Sequence, residues 1–508
     1  MEIYVLINDK AQGPYTRELV RQYLNSGQLK PTDLAAYAGS SDWKPLSILI
    51  QSWTGASLRK AAPSLPPQTI KRKPVVAIIG CAALALVVAG TVFWMLNRLS
   101  TRPHAGPDEG NFPKSLAELN AWYVEPPEGQ NAATFFLKGS QAIEISQADQ
   151  NSTDLPVLGR GAMPALGEPI PSRTKANIAA VVQKNEAAWK SLQEGAGFDE
   201  ARYPINLNLG SETLLPHLAK IKRAALFAQL RTDMFADDKQ PQEAVDGILL
   251  SLALAQSVKS EPTLISQLVR VAIHAIDVAS LEYTLNSAAL SSADLERLSV
   301  AFAKAESQGS DSAPFTRALV AERVMTLTFF DLPPEKLEEQ LKKFQSYGSE
   351  DMPKIPVSQM MKNLKSQRTF FVKTFEHAFA MRREPFPGRL KLDEYMVSRA
   401  SEAKSKEFYL CQMWLAALGK ATSREAKGLS QLRLAQTAIA LERFRQENGS
   451  YPDSLAALVP KFLPQLPMDP ANGAEIHYQK SGEGYEVSST AINAPRPQSI
   501  KVINPPKL

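Results

Sequence analysis

Cysteine and histidine are scarce: two cysteines, Cys81 and Cys411, and five histidines in 508 residues. Cys81 falls inside an apolar run, which argues against a structural disulfide between the pair. The scarcity does not fix the compartment, since many exported proteins lack disulfides. His104, His217, His274, His377 and His477 are spaced too widely for a helical metal pair of the HExxH kind. No GxSxG elbow, P-loop or glycine-rich dinucleotide turn occurs. His274 reads as a hydrogen-bonded core histidine and His377 as a boundary or surface residue. Cys411, within FYLCQMW, reads as a small buried hydrophobe. Asp469 has few acidic neighbours and suits a turn cap better than a calcium ligand. Glu335, Glu338, Glu339, Lys342 and Lys343 have the spacing of a solvated helix face. No catalytic residue, metal ligand or cofactor site emerges, although active sites can assemble from distant residues.

Excess charge is also missing where nucleic acid would require it. The net charge is +5, from 57 Lys+Arg and 52 Asp+Glu. Residues 1–73 hold ten basic and five acidic side chains, residues 74–96 hold none, and the remainder holds 47 of each sign. The large C-terminal part therefore lacks the electrostatic footprint of nucleic-acid binding.

The strongest positive signal is KRKPVVAIIGCAALALVVAGTVFWMLNR. Val75 to Leu96 is an uncharged apolar run of 22 residues. As a helix it would extend ~33 Å, enough for a ~30 Å hydrocarbon core. Trp94 suits an interfacial position. A folded-looking segment precedes the run, unlike a cleavable signal peptide. Arg59, Lys60, Lys71, Arg72 and Lys73 come before it, and Arg98 and Arg102 after it. That excess places the N-terminus in the cytoplasm. The expectation is a single-pass protein of the cytoplasmic (inner) membrane, anchored by residues 74–97, with the C-terminal part outside, in the periplasm.

Ahead of the span, Ile3, Val5 and Ile7 alternate as a strand does, and Gln12-Gly13-Pro14 reads as a turn. Thr16 is placed to cap a helix carrying Leu19, Val20, Tyr23 and Leu24, stopped by Asn25 to Gly27. Leu34 to Tyr37 reads as a second short strand. Tyr4, Gly13-Pro14-Tyr15, Tyr23, Gly27 and Trp43-Lys44-Pro45-Leu46 recur in the order of a GYF-like domain of the bacterial variant, which residues 1–50 resemble. The resemblance implies recognition of a protein or proline-rich peptide on the cytoplasmic side, with Tyr4, Tyr15, Tyr23 and Trp43 as contacts. A polyproline II ligand is already extended, so docking on aromatic rings costs little further ordering. Where the eukaryotic family has Gly-Tyr-Phe, this chain has Gly27-Gln28-Leu29, so two aromatics of the usual pocket are missing. The remaining rings either contact a peptide or fill a small core. The linker 55–73 carries AAPSLPPQ, an extended spacer or a ligand for its own domain.

Beyond the span, 98–110 reads as a second linker and 111–425 as a helical domain. EPTLISQLVRVAIHAIDVASLEYTLNS illustrates it: Pro262 fits the first helical position. Leu264, Leu268, Val271, Ala275 and Val278 form one apolar row, and Ile265, Val269, Ala272, Ile276 and Ala279 a second, which predicts burial on more than one side. Other helices are expected near 175–194, 212–235, 240–258, 292–308, 335–346, 358–381, 391–419 and 426–448. Short connections favour a helical-hairpin bundle or irregular solenoid. NAWYVEPPEGQNAA, the LLSLALAQSVKSEPTLISQLVRVAI run and YPDSLAALVP…LPMDP together resemble membrane-anchored proteins of planctomycete and verrucomicrobial type, a resemblance that implies no activity.

In residues 426–508 a helix ends at Asn448-Gly449, Asp453 is placed to cap a short helix through Leu458, and EIHYQK and YEVSST form a hairpin. Over 427–490 this order resembles the globular part of type II secretion major pseudopilins. The prepilin cleavage site and the family's apolar N-terminal helix are missing from this module, so it reads as a cap closing the helical array. The fold class expected is multidomain: a small α+β GYF-like domain at 1–54, one transmembrane helix, and a large mainly-α domain ending in a small α+β module. The function expected is a protein-interaction scaffold with an unidentified outer partner. An envelope hydrolase and an accessory component of a secretion or pilus-like assembly stay open as alternatives.

Overall fold

The computed structural model describes residues 3–7, 10–15, 20, 24, 29, 33–37 and 44–47, then 112–310, 313–347, 355–492, 497–503 and 505–507. The apolar run 75–96, both linkers, and the helix expected after Thr16 apart from positions 20 and 24 lie outside the described residues. The chain divides into two compact units, Met1–Trp94 and Met95–Leu508.

In the first unit β1 (Ile3–Ile7), β2 (Lys10–Tyr15), β3 (Leu34–Tyr37) and β4 (Lys44–Pro45) form one sheet in the order β2-β1-β3-β4. All its pairings are antiparallel. Of the residues expected to alternate along β1, Ile3 and Val5 are fully buried, in a core with Val20, Leu29, Ala35 and Leu46, and the Ile7 side chain lies outside the described residues. Gln12-Gly13-Pro14 does not form the expected turn. It lies within β2, where Gln12 pairs with Val5, Tyr15 pairs with Ile3, and the register shifts between them. β2 is at the sheet edge, where a proline without an N–H is tolerated and an irregularity absorbs the extra residue.

The second unit is mainly helical. It runs through α1 (Leu116–Trp122), α2 (Ala132–Ala142), α3 (Gln147–Asn151), α4 (Ser172–Lys184), α5 (Glu186–Ala196), α6 (Pro216–Asp237), α7 (Pro241–Ser257) and α8 (Leu264–Ser287). It continues with α9 (Ser292–Ser310), α10 (Ala313–Phe330), α11 (Pro334–Tyr347), α12 (Val357–Met360), α13 (Leu364–Arg382), α14 (Lys391–Ser405), α15 (Tyr409–Leu418) and α16 (Ala421–Asn448). The helix expected over 175–194 is two helices. They meet at Asn185, whose side chain accepts from the Glu144 N–H at 2.7 Å and donates to the Val181 carbonyl at 2.9 Å. A side chain bonding backbone groups in this way competes with the helical ladder. The helix expected over 391–419 breaks between Ser405 and Tyr409, where Glu407 takes φ +58°. Pro262 precedes the helix it was expected to start; Thr263 is the cap, its hydroxyl accepting from the Ser266 N–H.

Two apolar clusters share α7 and α8. Leu250 and Leu254 of α7 and Ile273, Ile276 and Tyr283 of α8 face the larger one, which extends from Phe112 to Leu418. Val245, Ile248 and Leu252, with Val278, Leu281 and Leu285, face the other, which they share with α9, α16 and the C-terminal sheet. α8 is thus buried on more than one side, as expected, but the two apolar rows are not its most buried faces. Ile265 is 58% exposed, and Ala275 and Ala279 are exposed. Gln267, Arg270, His274, Asp277, Ser280 and Thr284, spaced three or four residues apart, are each 5% exposed or less. The deepest stripe of this helix is polar.

After α16, Gly449 closes the helix at φ +77°. The following short turn is a 3₁₀ segment, Leu455–Leu458, with Ser454 before it and no side-chain cap. Asp453 instead pairs with Lys480 at 3.0 Å. The expected hairpin forms as β5 (His477–Ser481) and β6 (Gly484–Ser488), and an unforeseen third strand, β7 (Ser499–Val502), adds to β6. Asn286 at the end of α8 fixes β7, donating to the Lys501 carbonyl at 2.7 Å and accepting from the Ile503 N–H at 2.8 Å.

Candidate functional site

In the N-terminal unit the backbone places Tyr15 opposite Ile3 on β2, and Tyr4 opposite Ala36 on β3. Tyr4 and Tyr15 therefore stand on adjacent strands, one position out of step. Their side chains, and all of Tyr23 and Trp43, lie outside the described residues. Tyr37, which the sequence does not single out, pairs with Ile3 from the other side, so Tyr15, Ile3 and Tyr37 share one row across the sheet. Only strand register reveals that row. Leu29, at the position of the family's phenylalanine, is 3% exposed and belongs to the core.

Several polar clusters are buried among the described residues of the helical unit, and two of them involve α8. The first centres on Glu261, fully buried between α7 and α8. Its carboxylate meets His217 Nε2 at 2.9 Å, accepts from the Tyr123 hydroxyl at 3.3 Å and accepts from the Ser266 hydroxyl. Tyr123 in turn accepts from the Tyr203 N–H at 2.9 Å, and the Tyr203 ring stacks on His217 with centroids 4.3 Å apart. Burial, and then the Glu261 charge, push the Tyr123 phenol well above its ordinary range. Every member has a structural partner, and the network ties the segments before α2 and α6 to the α7–α8 connection.

The second constellation lines a cavity of about 290 Å³. Arg270 and His274 come from α8, Phe315 from α10, Phe386 and Arg389 from the turn after α13, and Glu425 and Arg433 from α16. Gly428 also lines it; a Cβ there would meet Val271 Cγ2 at 2.9 Å, so glycine permits the close approach of α16 to α8. Arg382 Nη2 donates to Glu425 Oε1 at 2.7 Å, and a second bond joins Arg382 Nη1 to Glu425 Oε2. Arg389 Nη1 lies 3.5 Å from the same carboxylate. His274 Nδ1 is 3.2 Å from Asp277 Oδ2. Burial lowers the His274 pKa and raises that of Asp277, opposing the charged form of both. Asp277 and Glu425 are acids that the sequence alone does not single out; their signal was the periodic polar stripe of α8 and its facing helix. Among the described residues the cavity lining is cationic and apolar, with Arg270, Arg389 and Arg433 beside Phe315, Phe386 and Leu432.

The isolated histidine, cysteine and aspartate positions take the places their sequence neighbours indicate. His377 is exposed, with its ring 4.8 Å from that of Tyr395. Cys411 is fully buried, and burial pushes its thiol up to about 12. Asp469 caps a turn, accepting from the N–H groups of Ala471 and Thr490. Among the described residues, no group of three or more His, Cys, Asp or Glu is placed to hold a metal ion. Also among the described residues, α8 is the one helix long and apolar enough to cross a membrane. Its buried Arg270, His274 and Asp277 mark it as the core helix of a folded domain.

The molecule thus joins a small sheet-bearing unit to a large, mainly helical one. Residues 4–49 match the family model described as GYF domain 2, so the N-terminal unit contains a GYF-like domain, which suggests a peptide-binding interaction module. Neither a curated protein nor a solved structure matches the chain.

Proposed function

We propose that this protein is a membrane-anchored interaction protein. In this reading its cytoplasmic GYF-like domain recruits a partner through a proline-rich peptide, and its helical domain works on the far side of the membrane. The match over residues 4–49 carries the recognition half of the reading. The uncharged run Val75–Leu96 and the basic residues before it carry the anchor and its direction. Tyr4, Tyr15, Tyr23 and Trp43 form the peptide-contacting set, whereas Leu29 belongs to the small core.

Crosslinking of the tagged full-length protein in its native cells, beside a Trp43→Ala variant, tests the reading. Defined partners captured by the wild type and lost in the variant are expected. Capture that is unchanged by Trp43→Ala removes the aromatic-surface assignment. Fractionation adds a second check: the wild type should stay with membranes through an alkaline carbonate wash, and a chain lacking residues 74–97 should not.

A further inference from the structure

The cavity between α8, α10 and α16 has an unusual charge distribution. Three guanidiniums, those of Arg270, Arg382 and Arg389, gather around the single carboxylate of Glu425. Arg433, at the edge, is matched by Glu306 at 2.9 Å. Glu425 is held by Arg382 through two bonds, and the side-chain hydrogen bond of Arg270 goes instead to a neutral amide. Arg270 is 5% exposed, its Nε has no partner, and Nη1 donates to the neutral Gln267 Oε1 at 3.2 Å. Desolvation lowers the Arg270 pKa to about 10, the direction expected of a cation lacking its counter-ion. His274 Nε2, on the next turn of α8, is likewise buried and unpartnered. Buried charges are ordinarily paired, and here the pairing is incomplete beside open space.

The walls narrow the kind of anion. Phe315, Phe386, Leu432 and Val271 are apolar lining residues, and the Arg389 guanidinium lies 4.7 Å over the Phe386 ring. The space is large enough for a small organic molecule. Exposed Pro385 and Met468 lie at the solvent side, with Arg270, His274 and Glu425 at the buried end. We propose that this cavity binds a small organic anion, a carboxylate or phosphate monoester on an apolar body, with its charged end against Arg270 and Arg389 and its apolar part against Phe315, Phe386 and Leu432. Guanidinium geometry suits either oxyanion, since both accept paired N–H donors. The site is independent of peptide recognition by the N-terminal domain.

The test is calorimetric titration of the full-length protein in mild detergent with phenyl phosphate, benzoate and the neutral isostere benzamide. At least one anion should bind with one-to-one stoichiometry, and benzamide should not. A response to benzoate alone assigns a carboxylate ligand; a response to phenyl phosphate alone assigns a phosphate. Arg270→Met should weaken the bound anion roughly tenfold or more, the effect of losing one charge-assisted contact. Circular dichroism and melting establish that the variant is folded; if it is not, Arg389→Met takes its place. Failure of both anions to bind, equal binding of benzamide, or unchanged affinity in the folded variants would overturn the proposal.

Discussion

Asp233 shows how a single side chain can carry a measurable pH signature. It is 1% exposed, its Oδ1 has no partner, and burial raises its pKa well above the carboxylate range. Folding therefore favours the protonated form. The stability this group contributes is complete below its unfolded value of ~3.9 and is lost as pH rises through the raised folded value. Asp233→Asn cannot ionise, so at pH 7 it should be more stable than the wild type by about 1 kcal/mol or more. The gap should close toward pH 4. Melting curves at both values check this, and an equal gap at each would contradict it. Cys411 gives a second test at this scale. With the thiol pushed up to about 12 and fully buried, it should resist maleimide at pH 8 in the folded protein and react once unfolded in urea. Its burial was legible in FYLCQMW, where large hydrophobes surround the cysteine, and burial outweighs the nearby Arg399 charge. Asp233 was not legible: nothing in RTDMFADD distinguishes it from Asp237, whose side chain is buried but paired with Lys175, or from the exposed Asp238.

At the scale of the element, apolar periodicity located α8 but misassigned its faces. The rows through Leu264 and Ile265 have helical spacing, yet the stripe from Gln267 to Thr284 is buried more deeply. Polarity is tolerated there because several members find partners: Gln267 donates to the Glu261 carbonyl at 2.9 Å, and Thr284 donates back to Ser280 at 2.7 Å. A hydropathy pattern does not register such local polar pairing, which is why this part of the candidate site was missed. Helix breaks were missed for a related reason, since Asn185 ends α4 by bonding Glu144, which lies 41 residues away. α6 and α7 offer the clearest test of close packing. A Cβ added at Gly247 would overlap Thr232 Oγ1, itself a buried hydroxyl without a partner. Gly247→Ala should cost about 1–3 kcal/mol by overpacking. Adding Thr232→Ala removes both the obstruction and the unsatisfied hydroxyl, so the double variant should recover most of that loss. Denaturant titrations of the two single variants and the double measure the coupling; simple additivity would show that the two positions do not meet.

For the whole molecule, the GYF-like domain was legible from ordered landmarks, and the helical character of the rest from amphipathic runs. The extent of the second core was not legible, because it is assembled from segments far apart in the chain. Val245, Ile248 and Leu252 of α7 and Val278, Leu281 and Leu285 of α8 share one cluster with Leu434, Ala438 and Leu441 of α16 and with Tyr485, Val487 and Ile500 of the C-terminal sheet. A chain ending at residue 425 would expose the first six side chains to water. Completely burying a residue of this type is worth about 1.5–3 kcal/mol, so the loss is comparable to the ~5–15 kcal/mol by which a domain is ordinarily stable. The Asn286 side chain would also lose its bonds to Lys501 and Ile503. A fragment of residues 111–508 should therefore be monodisperse and melt cooperatively, whereas 111–425 should aggregate or remain expanded. Size-exclusion chromatography and near-ultraviolet circular dichroism distinguish these outcomes. A compact, cooperatively melting 111–425 would mean that α16 and the sheet dock onto a domain already complete without them.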